Sequence, residues 1–300
     1  MRSEWKTSKL IPEVQEISEL SPKLRVFFLW LFTAAITFVA VPAHATDELE
    51  MRKELSPFSL RLGVYDMNLS TEVRVDGRGG NVGSELDFED DLNLDRNKDT
   101  FDIAFRWRFR ERHYVEAEHF RLKRNGFRRL DGELRFGDNV FPVGADLQSG
   151  FTTEVTRVGY IYELIRSRDW GLGIGAGLHV TRLRAVLSEI IFDNPKVPVG
   201  NAEIAAVTAP LPVFGFSGAR RLGEKWALLA RGQWLSVQTD DIDGSIEHAA
   251  VYVEHDTTDW LGLGLGYDWF TIDVDAEDRL WLGNANVSFH GPMLFLKGSF

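Results

Sequence analysis

The sequence predicts an all-β fold: an antiparallel transmembrane β-barrel of about ten strands, with eight or twelve as alternatives. Three observations carry this. Long stretches alternate large apolar residues with small or charged ones at period two. Tryptophans recur where such stretches begin. Past residue 45, no run approaches the roughly 18 consecutive apolar residues of a membrane helix. In lipid every backbone polar group must be paired internally, so a chain without a spanning helix crosses a bilayer only as a closed barrel.

Composition narrows the rest. The 300 residues include no cysteine, nine tryptophans and 21 phenylalanines, which excludes a disulfide framework and thiolate metal sites. A formal net charge of -11 lacks the basic balance of a nucleic-acid binder, so no nucleic-acid partner is expected.

At the N-terminus, Lys23 and Arg25 precede the apolar run VFFLWLFTAAITFVAV, and Ala43-His44-Ala45 places small residues where a signal peptidase reads them. This pattern predicts a secretory signal cleaved after Ala45; the alternative is a membrane anchor over residues 26–41. The 22 residues before Lys23 carry Glu4, Glu13, Glu16 and Glu19. Either the leader is extended or the true start lies downstream of Met1. Cleavage would leave 29 Lys and Arg against 41 Asp and Glu, a net of -12. The expected organisation is a leader at 1–45, a short segment at 46–56 and the barrel at 57–300.

In chain order, the first strand is expected over 58–75. The next, over 100–110, contains FDIAFRWRFR, with apolar residues at odd positions and Arg106, Arg108 and Arg110 at even ones. The third covers 114–123. A turn centred on Arg112 pairs Arg108 with Glu116, Arg106 with Glu118, Trp107 with Ala117 and Phe109 with Val115, sorting charges onto one face. The alternation slips at His119, where a bulge or a rim is expected.

Further strands are expected over 151–163, 170–183, 207–220, 226–239, 245–256, 260–274 and 286–300. Short connections fall near Arg112, Arg166, Leu222 and Thr258, longer ones fall between them, and 132–143 extends a hairpin beyond the membrane. Trp170, Trp226 and Trp260 each follow a short polar turn and, with Trp107 and Trp269, form the expected interfacial aromatic belt.

The chain ends HGPMLFLKGSF, with Leu294, Leu296 and Phe300 in one phase. Together with GLGLGYDWFTIDVD, this ending resembles the closing strands of small Gram-negative outer-membrane β-barrels, and the terminal phenylalanine resembles their assembly signal. The resemblance covers the remainder of the mature chain in pattern only. It implies an outer-membrane location, contact with outer-membrane lipid and lipopolysaccharide, and recognition by the barrel-assembly machinery. It also makes 46–56 a periplasmic segment, short turns periplasmic and longer loops extracellular. It carries no catalytic residues.

Arg106, Arg108, Arg110, Glu116, Glu118, Arg157, His179 and Arg231 are candidate lumen-lining residues. They form either a selectivity lining or a closed, salt-bridged interior. A barrel of eight to ten strands leaves little lumen, which favours closure. Inward glycines in GLGIGAG and GLGLG either open space or permit backbone curvature.

In GSELDFEDDLNLDRNKD, Asp91, Asn93, Asp95 and Asn97 have the every-second spacing of a calcium loop, yet Arg96 stands where the tight-turn glycine belongs. Asp91, Asn93 and Asp95 are therefore weak metal candidates, and the plainer reading is an acidic strand or loop outside the membrane. The apolar phase changes after this segment, so a reversal or bulge is expected between Asp95 and Thr100. No cofactor is expected.

Barrel hydrolases need a Ser/His dyad with an orienting group, or Asp pairs with His at the rim. The six histidines beyond residue 45 sit beside no serine at a useful spacing except His290, two residues after Ser288. The expected function is a surface or structural role, or a narrow pathway for small solutes. The alternative is a lipid-modifying or proteolytic enzyme of the outer leaflet.

Overall fold

The computed structural model describes residues 56–190, 201–238, 242–278 and 281–300. The leader, the Ala45 cleavage site and residues 46–55 lie outside the described residues. Among the described residues thirteen strands form: β1 (Phe58–Val75), β2 (Glu85–Asp87), β3 (Asn97–Arg110), β4 (His113–Arg129), β5 (Leu134–Phe136), β6 (Asn139–Phe141), β7 (Asp146–Arg166), β8 (Trp170–Glu189), β9 (Ala202–Arg221), β10 (Trp226–Gln238), β11 (Ile242–Asp256), β12 (Leu261–Asp278) and β13 (Trp281–Ser299).

Ten of them, all but β2, β5 and β6, pair antiparallel with their neighbours, and β13 pairs back to β1 to close the barrel. The seam is completed by Phe58 and Phe300, whose backbone N–H groups donate to each other's carbonyls at 2.9 and 3.0 Å. In the turn-end half closure leaves no unpaired sheet edge, which is what a bilayer demands; toward the loop end the ladder opens, with β9 pairing β10 only over Phe214–Arg221.

The barrel has a turn end, carrying the start of β1, Phe300 and the β3–β4, β7–β8, β9–β10 and β11–β12 turns, and an opposite loop end. Two connections at the loop end are themselves brief: residues 239–241 separate β10 from β11, and 279–280 separate β12 from β13. There the strands lengthen instead. β7 runs 21 residues, about twice what a membrane strand requires.

Toward the loop end outward apolar residues are isolated, as at Phe127 and Ile204, and only in the turn-end half do outward apolar side chains form a band. On β3 they run from Phe101 to Phe109, and on β1 they give way to Asp66, Asn68 and Glu72 beyond Val64. In the loop-end half the polarity inverts. The interior becomes a packed apolar core that includes Met67, Leu69, Phe120, Leu122, Phe151, Leu183 and Ile272. This half is built like a soluble domain, with polar residues outside and hydrophobic ones within.

Inversion explains the slip at His119. β4 keeps its register with β7 straight through that residue, and its even positions stay inward from Tyr114 to Arg124. His119 is a rim, not a bulge; the solvent outside changes while the backbone does not. The phase change after Asp95 is a true reversal. Leu86 to Leu94 belong to β2 and the turns after it, where Asn93 has φ 58°, and β3 starts afresh at Asn97.

The β3–β4 register differs from the expected one. Arg106 pairs with Glu116, Trp107 with Val115 and Arg108 with Tyr114, two residues displaced from a turn centred on Arg112. A bulge between Arg108 and Arg110 tightens the turn. Because the displacement is even, no side chain changes face.

Space at the inward glycines is occupied. A Cβ at Gly264 would lie 2.1 Å from the Phe295 ring, and one at Gly266 the same distance from the Tyr252 ring. These glycines admit large neighbours rather than opening a pore.

Candidate functional site

Even positions of β3 and β4 and odd positions of β1, β7, β8 and β10 point inward, and in the turn-end half this places charged side chains inside the barrel. A cavity of about 240 Å³ there is lined by Arg106, Arg108, Glu116, Glu163, Tyr252 and Glu254, among others, and reaches the turns at Asp169 and Thr258. Its charges are paired. Arg108 donates to both carboxylate oxygens of Glu163 at 2.8 and 2.9 Å, and Arg106 Nη2 lies 2.6 Å from Glu116. Lys297 lies 2.5 Å from Glu254.

Deeper in, Glu118 is a hub. Arg61 reaches it at 2.9 Å, Arg231 at 3.0 Å, and Arg157 also donates to it. Arg61 further contacts Asp102 at 3.0 Å. Asp268 accepts from the Tyr252 hydroxyl at 2.8 Å and contacts His248 Nε2 at 2.9 Å. His179 and Arg157 meet at Gln233 Oε1, at 3.0 and 3.1 Å. Three guanidiniums thus stand against three carboxylates, so the group closes near neutrality. In low dielectric this is the condition for burying ions without large cost.

Immediately toward the loop end, Tyr65, Phe120, Phe270 and Phe289 form an aromatic layer, with Phe270 and Phe289 stacked at 4.5 Å. The void between this layer and the Glu118 hub is about 10 Å³, the space of a single water. At the loop end, the acidic segment folds inward over the barrel. Phe88 packs edge-on against Phe151 at 5.2 Å, and Leu92 and Leu94 are buried. Glu89 accepts from the fully buried Arg124 and, at 2.8 Å, from the Thr71 backbone N–H. The β5–β6 hairpin adds Phe136 and Phe141, both fully buried.

Seven of the eight lumen candidates, Arg106, Arg108, Glu116, Glu118, Arg157, His179 and Arg231, therefore lie inside the barrel. Arg110 does not: beyond the bulge it is exposed at the turn opposite His113. The anticipated Arg106–Glu118 and Arg108–Glu116 pairs are replaced by Arg106–Glu116 and Arg108–Glu163. Arg61, Asp102, Gln233, His248, Tyr252 and Asp268 were missed. Each follows from the parity rule applied to its own strand, as with Asp102 between Phe101 and Ile103.

Trp107, Trp170, Trp226 and Trp260 are outward and exposed near the turn end. Trp269 lies beside Tyr267, at 4.4 Å, on the loop-end side of the apolar band. Leu294, Leu296 and Phe300 face outward. In the acidic segment, Asp91 accepts from the Asp87 backbone N–H at 2.9 Å, Asn93 holds the reversal, and the Asp95 carbonyl accepts from Arg124 at 3.2 Å. Among the described residues, no cluster of three or more His, Asp or Glu is placed to hold a metal. Ser288 and His290 share no hydrogen bond; His290 Nδ1 instead lies 2.8 Å from the Tyr267 hydroxyl.

No family model matches the sequence, and no curated protein matches it. Among solved structures, the chain is similar to the outer-membrane protease OmpT of Escherichia coli, at 12% identity and TM-score 0.54 over 81% of this chain and 96% of that one. Weaker likenesses are to the attachment invasion locus protein Ail of Yersinia pestis, at 10% identity and TM-score 0.34 over 79% of this chain and 98% of that one, and to the toluene transporter TbuX of Ralstonia pickettii, at 10% identity and TM-score 0.35 over 82% and 90%. At these identities the likeness concerns fold alone. This chain is a ten-stranded closed antiparallel barrel resembling those of Gram-negative outer-membrane proteins, a fold that supports an outer-membrane location.

Proposed function

We propose that this chain is an outer-membrane barrel whose lumen is closed to solutes, with a structural or surface role, its turn end in the periplasm and its loop end projecting outside the cell. The observation that carries this is the sequence of layers along the axis. A neutralised ion network, an aromatic layer, a continuous apolar core and an infolded acidic segment succeed one another, with about 10 Å³ of void at the first junction. A hydrated ion entering that core would lose its water without gaining ligands.

A non-catalytic role is supported by the environments of the histidines. His179 and His248 are buried in the ion network, and His113, His119, His255 and His290 bond to Tyr160, Thr156, Thr257 and Tyr267.

The test is conductance of the refolded chain, residues 46–300, in a planar bilayer under a salt gradient. A folded, inserted barrel should be silent. Reproducible, charge-selective steps would overturn closure in favour of a narrow solute pathway.

A further inference from the structure

The outer wall just above the apolar band is unevenly charged. Across three adjacent strands, Arg121 on β4 stands opposite Glu154 on β7, which stands opposite Arg182 on β8. One step nearer the loop end, Lys123, Thr152 and Arg184 form the next row. All four cations are exposed. Glu154 is 3.7 Å from Arg121, and among the described residues Lys123, Arg182 and Arg184 have no carboxylate partner. Strand spacing sets the four at the corners of a patch about 10 by 7 Å. Such a patch, in a chain of net charge -11, is a local departure of sign that selects an anion.

Position selects which anion. Directly below on the same strands come the rim row His119, Thr156 and Val180, then Ala117, Val158 and Leu178, then Val115, Tyr160 and Ala176. Val158 is 51% exposed, and Tyr160 and Leu178 are each 41% exposed. A ligand that fits this column has a phosphorylated head and apolar tails.

We propose that Arg121, Lys123, Arg182 and Arg184 bind the phosphate of an outer-leaflet glycolipid whose acyl chains lie along the Val158–Leu178 face. The inference rests on the reading that the apolar band lies in a bilayer and adds the place where lipid is held.

The test is native mass spectrometry of the refolded chain, residues 46–300, in micelles doped with the bis-phosphorylated lipid anchor of lipopolysaccharide. Parallel arms use its dephosphorylated form and inorganic phosphate as competitor. The phosphorylated lipid should be retained, R182Q/R184Q should weaken retention by about 30-fold, R182K/R184K should preserve it, and inorganic phosphate at equal phosphate concentration should not displace it. Three results would overturn the proposal: unchanged retention in R182Q/R184Q, equal retention of the dephosphorylated lipid, or displacement by inorganic phosphate, which marks a free-anion site. Insertion into vesicles is scored separately by heat-modifiable electrophoretic mobility. A barrel that inserts yet retains no lipid overturns this inference and leaves the membrane reading standing; one that fails to insert removes both.

Discussion

Glu118 illustrates how one side chain fixes the interior. Arg61, Arg157 and Arg231 all converge on it, so its loss strands several buried positive charges together. Removing one member of a buried ionic group costs about 3–5 kcal/mol, because the partners remain desolvated and unpaired. Glu118→Gln should lower the unfolding free energy by that order in urea titrations from lipid vesicles. An equally stable variant would mean that water reaches this level of the barrel. Parity made Glu118 legible as inward, but its partners were hidden, since Arg61, Arg157 and Arg231 approach from strands that are distant in sequence.

At the scale of elements, β11 and β12 show what happens when strands continue past the membrane. Asp243 stands directly opposite Asp275, and like charges across a ladder are destabilising. Burial, followed by Asp273 and Asp243, raises the Asp275 carboxyl above the usual range, while Arg74 works against the shift. An acid whose folded-state pKa is raised binds its proton more tightly when folded, so stability falls as pH rises through that interval and recovers on mild acidification. Asp275→Asn should therefore be more stable than the parent at pH 7, with the difference shrinking as pH falls through the carboxylate range. Thermal unfolding at a series of pH values checks this, and a pH-independent difference would point to packing instead.

Element boundaries were largely readable because lipid enforces strict alternation; β1 occupies the expected 58–75 span. The loop-end extensions were not, because there the outer face turns polar and the inward residues are small or aliphatic, as at Leu147, Ala185 and Ala205. The β3–β4 register was likewise missed, since two registers differing by two residues sort the same faces.

For the whole molecule, closure depends on the β13–β1 seam, where Phe58 and Phe300 exchange backbone hydrogen bonds and Phe300 is 60% exposed on the outer wall. Deleting Phe300 removes both the terminal ladder pair and an apolar contact with lipid. It should reduce the folded fraction in vesicles several-fold, measured by heat-modifiable mobility. Unimpaired assembly would show that the seam closes without its last pair. Around the projecting half, cations gather on β4 and β8 and carboxylates on β11 and β12. Neither stripe is visible in the net charge.

The sequence by itself determined the architecture. Alternation, the tryptophan positions and the terminal phenylalanine are local consequences of a sheet with lipid on one side, and each reads from a few consecutive residues. Only the tertiary structure decided what fills the lumen. That depends on which inward side chains from distant strands meet at one level of the axis, and on the acidic segment turning inward to bury Phe88, Leu92 and Glu89 rather than extending into solvent. A one-dimensional pattern records which face a residue takes; the height at which ten strands place their charges is a property of register and closure.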